Sequence, residues 1–190
     1  MRELKSIEEK ILDRALYLIG KNRSLNISIR AIAKEAGVNV SAINYYFRTK
    51  DEMLRQAKKL YIANTHSIIA IMENSELSME DKLIHAANEI MEYIIRYPGI
   101  SVLLRDAREK EDETSIEVLE VSEELSELLN QILNNLVDGK KDKDYKQIIF
   151  WSAINYPVDD NPITSNRDTL ASSKEARIAY IKLLLAMLRI

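Results

Sequence analysis

The sequence predicts an all-α fold of about nine helices. Helix breakers are scarce, with four Gly and three Pro among 190 residues, which indicates long helices and short connections. Apolar residues recur at spacings of three and four along most of the chain, and no segment shows a convincing strand-like alternation. Apolar residues make up 46% of the chain and charged residues 30%, a balance typical of globular rather than disordered proteins.

The first part of the chain predicts three short helices followed by a long one. Ser6 and Glu9 form a capping box, and Gly37 is suited to end the second helix because glycine adopts the left-handed turn found there. Asn39 is suited to cap the third helix, and Thr49 begins the fourth. We therefore expect helices at residues 6–20, 28–35, 39–47 and 49–73.

The remaining residues predict five further helices with polar loops between them. Ser78 and Thr114 provide N-terminal caps, and the sequence YPG at 97–99 interrupts a helix. The last helix is apolar nearly all round, which indicates burial on two sides, one of them against another subunit. We expect helices at 78–96, 114–136, 145–156 and 174–189, a short helix ending at 108, and loops at 109–113, 138–144 and 157–173, the last of them long and mobile.

Charge is divided unevenly along the chain. Residues 1–60 hold 13 Lys and Arg against 7 Asp and Glu, a net charge of +6, whereas the remaining residues hold 14 against 23, a net charge of −9. A basic N-terminal segment on an acidic body suggests that only this segment meets a polyanion, although scattered surface charge gives the same count.

Several site types and locations are excluded or disfavoured by the sequence. There is no cysteine, which excludes disulfides, thiolate metal sites and a cysteine nucleophile. His66 and His85 lack the spacing of a metal site, so we expect no metal and no cofactor. No apolar run reaches the roughly 18 residues of a membrane span, and the charged N-terminus does not resemble a signal peptide. We expect a cytoplasmic protein with no membrane partner.

The segment 37–53, GVNVSAINYYFRTKDEM, combines three consecutive aromatic residues with small polar ones. On a helical wheel with Ile43 facing inward, Phe47 lies about 40° away and Val40 about 60° away, so all three can face the first two helices. Tyr46 lies about 60° away on the other side, and we expect it to be mostly packed. The side chains left facing outward are those of Ser41, Ala42, Asn44 and Tyr45.

Two short helices joined by a glycine-containing turn, the second polar on its outer side, are the layout of a helix-turn-helix. The outward face suits the major groove of DNA, because small residues allow close approach, Asn44 can pair with adenine and Ala42 can contact a thymine methyl group. The Tyr45 hydroxyl can donate to a phosphate. Ser28 and Lys50 begin helices whose free backbone N–H groups attract phosphates. Each residue alone is an ordinary surface residue, and the prediction rests on their arrangement.

Residues 8–54, and most closely 27–54, resemble the DNA-binding domain of TetR-family transcriptional regulators. The segment ISIRAIAKEAGVNVSAINYYFRTKDEML matches the family pattern without a gap. The matching residues are Ser28, Ile32, Ala33, Ala36, Gly37, Val38, Ile43, Tyr46, Phe47, Thr49, Lys50, Met53 and Leu54.

The resemblance implies that six residues lie at the DNA, with Tyr45 and Lys50 mainly on phosphates: Ser28, Asn39, Ala42, Asn44, Tyr45 and Lys50. The chain also departs from the pattern. The family often has Gly, Tyr, His, and Pro or Gly where this chain has Ser41, Asn44, Tyr45 and Arg48. These departures leave the fold unaffected and make the target DNA sequence unpredictable.

The resemblance further implies a DNA-binding domain at residues 1–50 and an effector-binding and dimerisation domain at 51–190. In the family, the last two helices of each subunit form an intersubunit four-helix bundle. Helices 145–156 and 174–189 carry more apolar surface than a monomer hides, which agrees with a homodimer formed there. A two-fold dimer reads an inverted repeat in its double-stranded DNA operator.

A small-molecule effector is expected among the middle helices of the body. Its binding would move the fourth helix and change the spacing of the two DNA-binding domains in the dimer. Ordinary core packing explains each candidate residue for this site more simply. The candidates are Tyr61, His66, Met91, Tyr93 and Tyr97, together with Met72 and Phe150.

The predicted function is that of a ligand-responsive DNA-binding repressor, which binds a palindromic operator as a homodimer and is released by its effector. One alternative is a DNA-binding regulator that answers to a protein partner or to no ligand. Another is an all-helical enzyme that carries the motif. The sequence shows no Ser/His/Asp set, no Gly-rich phosphate loop and no paired carboxylate cleft, and we therefore predict no catalytic residues.

Overall fold

The computed structural model describes residues 6–137, 142–155, 170–171 and 173–189, and in these residues the protein is all-α, as predicted. Nine α-helices are fully bounded within them, and they contain no strand. The helices are α1 (Ile7–Asn22), α2 (Ile29–Ala36), α3 (Val40–Phe47), α4 (Lys50–Glu73), α5 (Met79–Arg96), α6 (Ile100–Glu109), α7 (Glu113–Leu136), α8 (Lys143–Asn155) and α9 (Lys174–Leu188).

The helix bounds lie within two residues of the predicted ones. Most of the predicted loop at 157–173, and part of that at 138–144, lie outside the described residues. Among the described residues, no helix combines the length and apolar character that crossing a membrane requires.

The predicted N-terminal caps of α1 to α4 are present. In each, a side-chain oxygen accepts a hydrogen bond of 2.7 to 3.1 Å from the backbone N–H three residues further on. Each such cap typically stabilises its helix by about 1 kcal/mol, because it satisfies a donor that the helix leaves unpaired. The capping residues are Ser6, Ser28, Asn39 and Thr49.

Contacts group the chain into two compact units. The first comprises residues 1–64 and 96–121, and the second comprises 65–95 and 122–190. The helices α4 and α7 therefore contribute residues to both. Because α6 and the start of α7 belong with the N-terminal helices, this grouping by contact differs from the division at residue 50. That division remains a prediction about function.

In the first unit, α1 packs on α2 and α6, and α2 packs on α3. Burying a large apolar side chain contributes roughly 1.5–3 kcal/mol, so a small number of such residues fixes these contacts. The largest fully buried side chains of this unit are Ile11, Leu16, Ile19, Ile32, Ile43, Phe47 and Met53.

The corner between α5 and α6 is fixed closely on α1. Gly20 and Gly99 meet there, and a Cβ on Gly99 would lie 2.3 Å from the Leu16 carbonyl oxygen. Nearby on α1, the carboxylate of Asp13 is buried but paired, since its Oδ2 accepts a 2.8 Å hydrogen bond from the adjacent Arg14 and its Oδ1 lies 3.2 Å from Arg96 Nε. A buried charge is tolerated only with such partners, and the pair with Arg96 joins α1 to the end of α5.

A buried lysine connects α4 to α6 and α7 within the same unit. Lys58 is 4% exposed, and its Nζ lies 2.9 Å from Asp106 Oδ2 and donates a 2.7 Å hydrogen bond to Ser115 Oγ. Ser115 in turn donates to Asp112, and this hydrogen bond lowers the pKa of the Asp112 carboxyl. The ammonium is thus held by groups from α6 and α7, and removing the Asp106 carboxylate would leave a buried charge without full compensation.

The second unit has its own apolar core, and Arg177 is a buried cation among its described residues. Its largest fully buried side chains include Leu83, Met91, Leu129, Leu133 and Phe150. On α9, the buried Arg177 donates to Glu92 Oε2 at 2.6 Å and to Asn88 Oδ1 at 3.0 Å, both on α5.

A polar seam joins α7 and α8 in this unit. Trp151, the chain's single tryptophan, donates from its indole N–H to Asn130 Oδ1 at 3.0 Å, and its ring meets that of Phe150 edge-on at 5.9 Å. One turn earlier on α8, Gln147 donates to Asn134 at 3.1 Å. The two hydrogen bonds fix the register of α8 along α7.

Several large apolar side chains of α8 and α9 are exposed. The side chains of Leu183 and Met187 are 61% and 62% exposed, and they lie four residues apart on one face of α9. The exposed apolar residues of α8 are Tyr145, Ile148 and Ile149.

We expect the substitution Gly99→Ala to lower the free energy of unfolding by about 2 kcal/mol, because a methyl group in contact with a backbone carbonyl forces α1 and α6 apart. Urea unfolding followed by circular dichroism measures the change. Arg105→Ala, on the exposed side of α6, serves as the control and should be neutral. Equal stability of Gly99→Ala and the parent protein would contradict the close approach of the two glycines.

Candidate nucleic-acid interface

The turn between α2 and α3 depends on one glycine. Gly37 has φ 66°, in the left-handed region, and its backbone lets the N–H of Val38 donate to Ala33 at 3.0 Å. This bonding satisfies carbonyl groups at the end of α2 and reverses the chain. A side chain at this position would be strained, so glycine sets the angle at which α3 leaves α2.

Asn39 has a structural role at the start of α3. Its side-chain carbonyl oxygen accepts a 2.7 Å hydrogen bond from the backbone N–H of Ala42. The residue is exposed, and its side-chain amide N–H groups remain available as donors. The geometry is therefore compatible both with a cap and with the predicted DNA contact.

The inner face of α3 is formed by Ile43 and Phe47, which are buried as the helical wheel predicts. One other prediction for this face differs from the structure. Val40 is 38% exposed, because it lies at the first position of the helix, where fewer neighbours surround it. Tyr46 is 37% exposed, so most of its surface is covered, in agreement with the expectation.

The outer face of α3 presents the predicted polar residues to solvent. Ser41, Asn44 and Tyr45 are exposed, and Ala42 is half-buried. The Tyr45 side chain is 80% exposed and meets the Tyr46 ring edge-on at 5.2 Å. An aromatic residue this exposed contributes little to folding, and the DNA contact assigned to it stays a prediction.

The N-termini of α2 and α4 provide two further groups at this end of the unit. Ser28 is exposed and caps α2 by accepting from Ala31 N–H at 3.1 Å, which leaves its hydroxyl hydrogen free to donate. Lys50 is the first residue of α4 and is half-buried. A lysine at a helix N-terminus adds its charge to that of the unpaired backbone N–H groups, which favours an anion.

The acidic residue Glu52, in the first turn of α4, is already paired with neighbouring side chains. Glu52 accepts hydrogen bonds from Gln56 and Arg55, and these bonds lower the pKa of its carboxyl group. The carboxylate is therefore ionised near neutral pH but paired with the Arg55 guanidinium. Its negative charge opposes an approaching phosphate less than an unpaired carboxylate would.

Arg48 was not among the predicted contact residues, although it directly follows α3. It is exposed, and its φ of 58° and ψ of −48° are unusual for a residue with a side chain. Its departure from the Pro or Gly common at this position was the available signal, but the sequence does not reveal the backbone conformation.

The predicted effector residues are distributed between the two units. Tyr61 and Tyr97 belong to the first unit, whereas His66, Met91 and Tyr93 belong to the second. Met91 and Tyr97 are buried, the latter beneath the Arg96 guanidinium at 5.3 Å, and His66 is exposed. The structure does not unite the five residues in one unit, and their role in binding an effector stays a prediction.

No group of three or more His, Cys, Asp or Glu side chains within the described part of the chain is arranged to hold a metal ion. The charged clusters that do occur, such as the one around Lys58, consist of ion pairs between the protein's own residues.

A family model described as "Bacterial regulatory proteins, tetR family" matches residues 11–57. This segment contains the described parts of α1 to α3 from Ile11 onward and the start of α4. It therefore includes every residue predicted to contact DNA.

A curated relative, "Probable HTH-type transcriptional regulator YttP" of Bacillus subtilis (strain 168), is 29% identical over 90 residues. The match covers 46% of this chain and spans 44% of the relative's length, less than half of it.

Solved structures of similar fold cover nearly the whole chain. The ketosteroid transcriptional regulator KstR2 of Mycobacterium tuberculosis has a TM-score of 0.68 at 15% identity, covering 97% of this chain and 96% of its own. The transcriptional regulator FadR of Bacillus subtilis, in complex with stearoyl-CoA, has a TM-score of 0.56 at 17% identity, with coverages of 95% and 98%. At these identities the likeness concerns the fold.

We expect Asn39→Ala to lower the free energy of unfolding by about 1 kcal/mol, because it removes the cap of α3, and Asn39→Asp to keep the cap and the stability. Thermal unfolding compares the two variants with the parent. In a DNA-binding assay, Asn39→Asp should bind more weakly than its stability predicts, because its added negative charge repels phosphates. Parent-like binding by a stable Asn39→Asp variant would remove Asn39 from the interface.

Proposed function

We propose that the chain, whose residues 11–57 match the TetR family of transcriptional regulators, is a repressor of that family that binds a palindromic DNA operator as a homodimer and is released by a small-molecule effector. In this proposal the chain acts as a DNA-binding regulator and not as an enzyme. The observation that carries the proposal is the division of α3, with Ile43 and Phe47 buried on one side and Ser41, Asn44 and Tyr45 exposed on the other. We place its action in the cytoplasm, together with the DNA.

The exposed face of α3 enters the major groove in this proposal. Asn44 reads a base edge through its amide, and Ser41 and Ala42 allow the helix to approach closely. Phosphate contacts on either side come from Ser28 and Lys50, and from the Tyr45 hydroxyl. These contacts set the position of α3 in the groove, while Asn44 carries most of the sequence preference.

The dimer forms through α8 and α9. The exposed apolar side chains of Leu183 and Met187 on one face of α9, together with those of Tyr145 and Ile148 on α8, support this interface. An apolar surface of this kind is rare on a monomer, and a second copy of the same chain covers it symmetrically. Two copies related by a two-fold axis present two α3 helices to an inverted repeat.

The effector binds within the body of each subunit and weakens DNA binding. FadR of Bacillus subtilis was solved with stearoyl-CoA and KstR2 is named a ketosteroid regulator, which supports a small-molecule effector for a protein of this fold. The coupling between two such sites is typically about 1–3 kcal/mol. The contact of Arg96 with Asp13 supports the end of α5 as the element that transmits the change to α1. The contacts of Lys58 with Asp106 and Ser115 support α6 and the start of α7 as the elements that transmit it to α4.

Selection of bound sequences from a library of random DNA duplexes tests the proposal. We expect enrichment of an inverted repeat whose half-sites lie about one helical turn apart, or a multiple of it. Enrichment of a single unrepeated site would contradict the two-fold arrangement. Absence of any enrichment would contradict sequence-specific binding.

We expect Lys50→Ala to weaken binding to every DNA sequence by roughly an order of magnitude in 0.1 M salt, because one phosphate contact and its released counterion are lost. The slope of log affinity against log salt should fall by about one. Fluorescence anisotropy with a labelled duplex measures both quantities. Lys59→Ala, an exposed lysine further along α4, is the matched control and should change neither. An unchanged slope in Lys50→Ala would remove this residue from the phosphate contacts.

We expect Leu183→Glu to convert the dimer into a folded monomer, because two carboxylates related by symmetry would be buried in an apolar interface. Sedimentation velocity gives the oligomeric state, and circular dichroism shows whether the fold is retained. Lys174→Glu, at the exposed start of α9, is the control for the added charge. A Leu183→Glu variant that sediments as a dimer would place the interface elsewhere.

A further inference from the structure

The chain reverses direction between α3 and α4 through a tight turn centred on Arg48. The Arg48 N–H donates to the Asn44 carbonyl at 3.0 Å and ends α3, and the Thr49 N–H donates to the Phe47 carbonyl at 2.5 Å across Arg48 itself. This is a three-residue turn with positive φ at its centre, a conformation that is strained for any residue with a Cβ.

The conformation is required by the elements on both sides of the turn. Phe47 is fully buried at the end of α3, and Thr49 caps α4 by accepting from the Glu52 N–H at 3.1 Å. One residue has to reverse the chain between them. Glycine would do so without strain, so the backbone alone does not explain why an arginine stands at this position.

The Arg48 side chain has no structural partner that explains it either. The residue is exposed, and no ion pair or hydrogen bond of its guanidinium occurs with any residue of the described ranges. The carboxylate four residues further on, Glu52, is already bonded to Arg55 and Gln56. The arginine therefore neither relieves the strain nor pairs with a nearby acid.

The position of Arg48 in the fold suggests what its side chain does. Its N–H bonds to Asn44 one turn earlier, so it continues the outward side of α3 that Asn44 and Tyr45 begin, and it directly precedes the N-terminal turn of α4. A planar guanidinium can bind two phosphate oxygens at once, and the N-terminus of α4 attracts the same kind of anion.

We propose that Arg48 is a further DNA-positioning residue, whose guanidinium binds a backbone phosphate at the C-terminal end of α3, and that the strained turn is retained because this charge is needed there. The inference rests on the proposed function, since it requires that the exposed face of α3 meets DNA. It adds a phosphate contact at the end of α3 to those of Ser28, Tyr45 and Lys50.

Replacing Arg48 by glycine relieves the backbone strain but removes the charge, so stability and DNA binding should not fall together. This difference tests the proposal. Arg48→Gly should melt at the same temperature as the parent or higher, because the strain is relieved, and should nevertheless bind DNA more weakly. Arg48→Gln keeps the side chain and loses the charge, whereas Arg48→Lys keeps the charge. A residue with only a structural role would change stability and binding in the same direction.

The probe is a fluorescein-labelled duplex of random sequence, about 30 base pairs or three helical turns long, because phosphate contacts do not depend on sequence. Anisotropy titrations at a series of salt concentrations give affinity and salt slope, and thermal unfolding gives Tm. We expect Arg48→Gln and Arg48→Gly to bind roughly eightfold more weakly in 0.1 M salt with a slope lower by about one. Arg48→Lys should keep the slope of the parent.

Two results would overturn the assignment of Arg48 while leaving the proposed function intact. The first is that the parent protein binds the duplex and the Arg48→Gln variant binds it with the same affinity and the same salt slope. The second is a lower Tm for Arg48→Gly, which would show that the arginine stabilises the turn. A parent protein that does not bind the duplex even at low salt would instead overturn the proposed function, and this inference with it.

Discussion

The interface depends on how two very short helices are held in place. α2 and α3 contain eight residues each, and isolated helices of that length are unstable in water. Their stability comes from side-chain caps at their N-termini and from burial of one face, with Ile43 and Phe47 supplying the anchors of α3. The exposed face is thereby fixed as well, because the angular relation between the two faces is set by helical periodicity. The orientation of the exposed face of α3 is therefore fixed by the packing behind it.

The sequence predicts those parts of the structure that local interactions determine. Caps involve residues three positions apart, the end of α2 depends on one glycine, and the inward and outward faces of α3 follow from its period. All of these are present in the structure. The prediction is wrong in detail at Val40, which a helical wheel treats as if its neighbours extended past the start of the helix.

Long-range contacts were not predictable in the same way. Asp13 meets Arg96 and Lys58 meets Ser115 across separations of 83 and 57 residues, and no local pattern links the members of either pair. The boundary at residue 50 was drawn where a motif ends, whereas packing groups 96–121 with the N-terminal helices. The backbone conformation of Arg48 was not predictable for a related reason. Arginine is a good helix former, and its positive φ is imposed by the elements on either side. The effector residues are the least predictable, because aromatic and Met side chains serve equally well as core.

The indole hydrogen bond between α7 and α8 makes Trp151 an intrinsic fluorescence probe of the protein. Trp151 donates to Asn130 in the second unit, and none of the helices α1 to α3 contains a tryptophan. Indole emission shifts in wavelength when its N–H partner or the polarity around the ring changes. Light emitted on excitation of this ring therefore reports on the contact between α7 and α8 without any attached dye, and it carries no direct signal from α1 to α3. Small-molecule binding and DNA binding can accordingly be tested in the same sample. Trp151 emission follows the first, and a dye on the duplex follows the second.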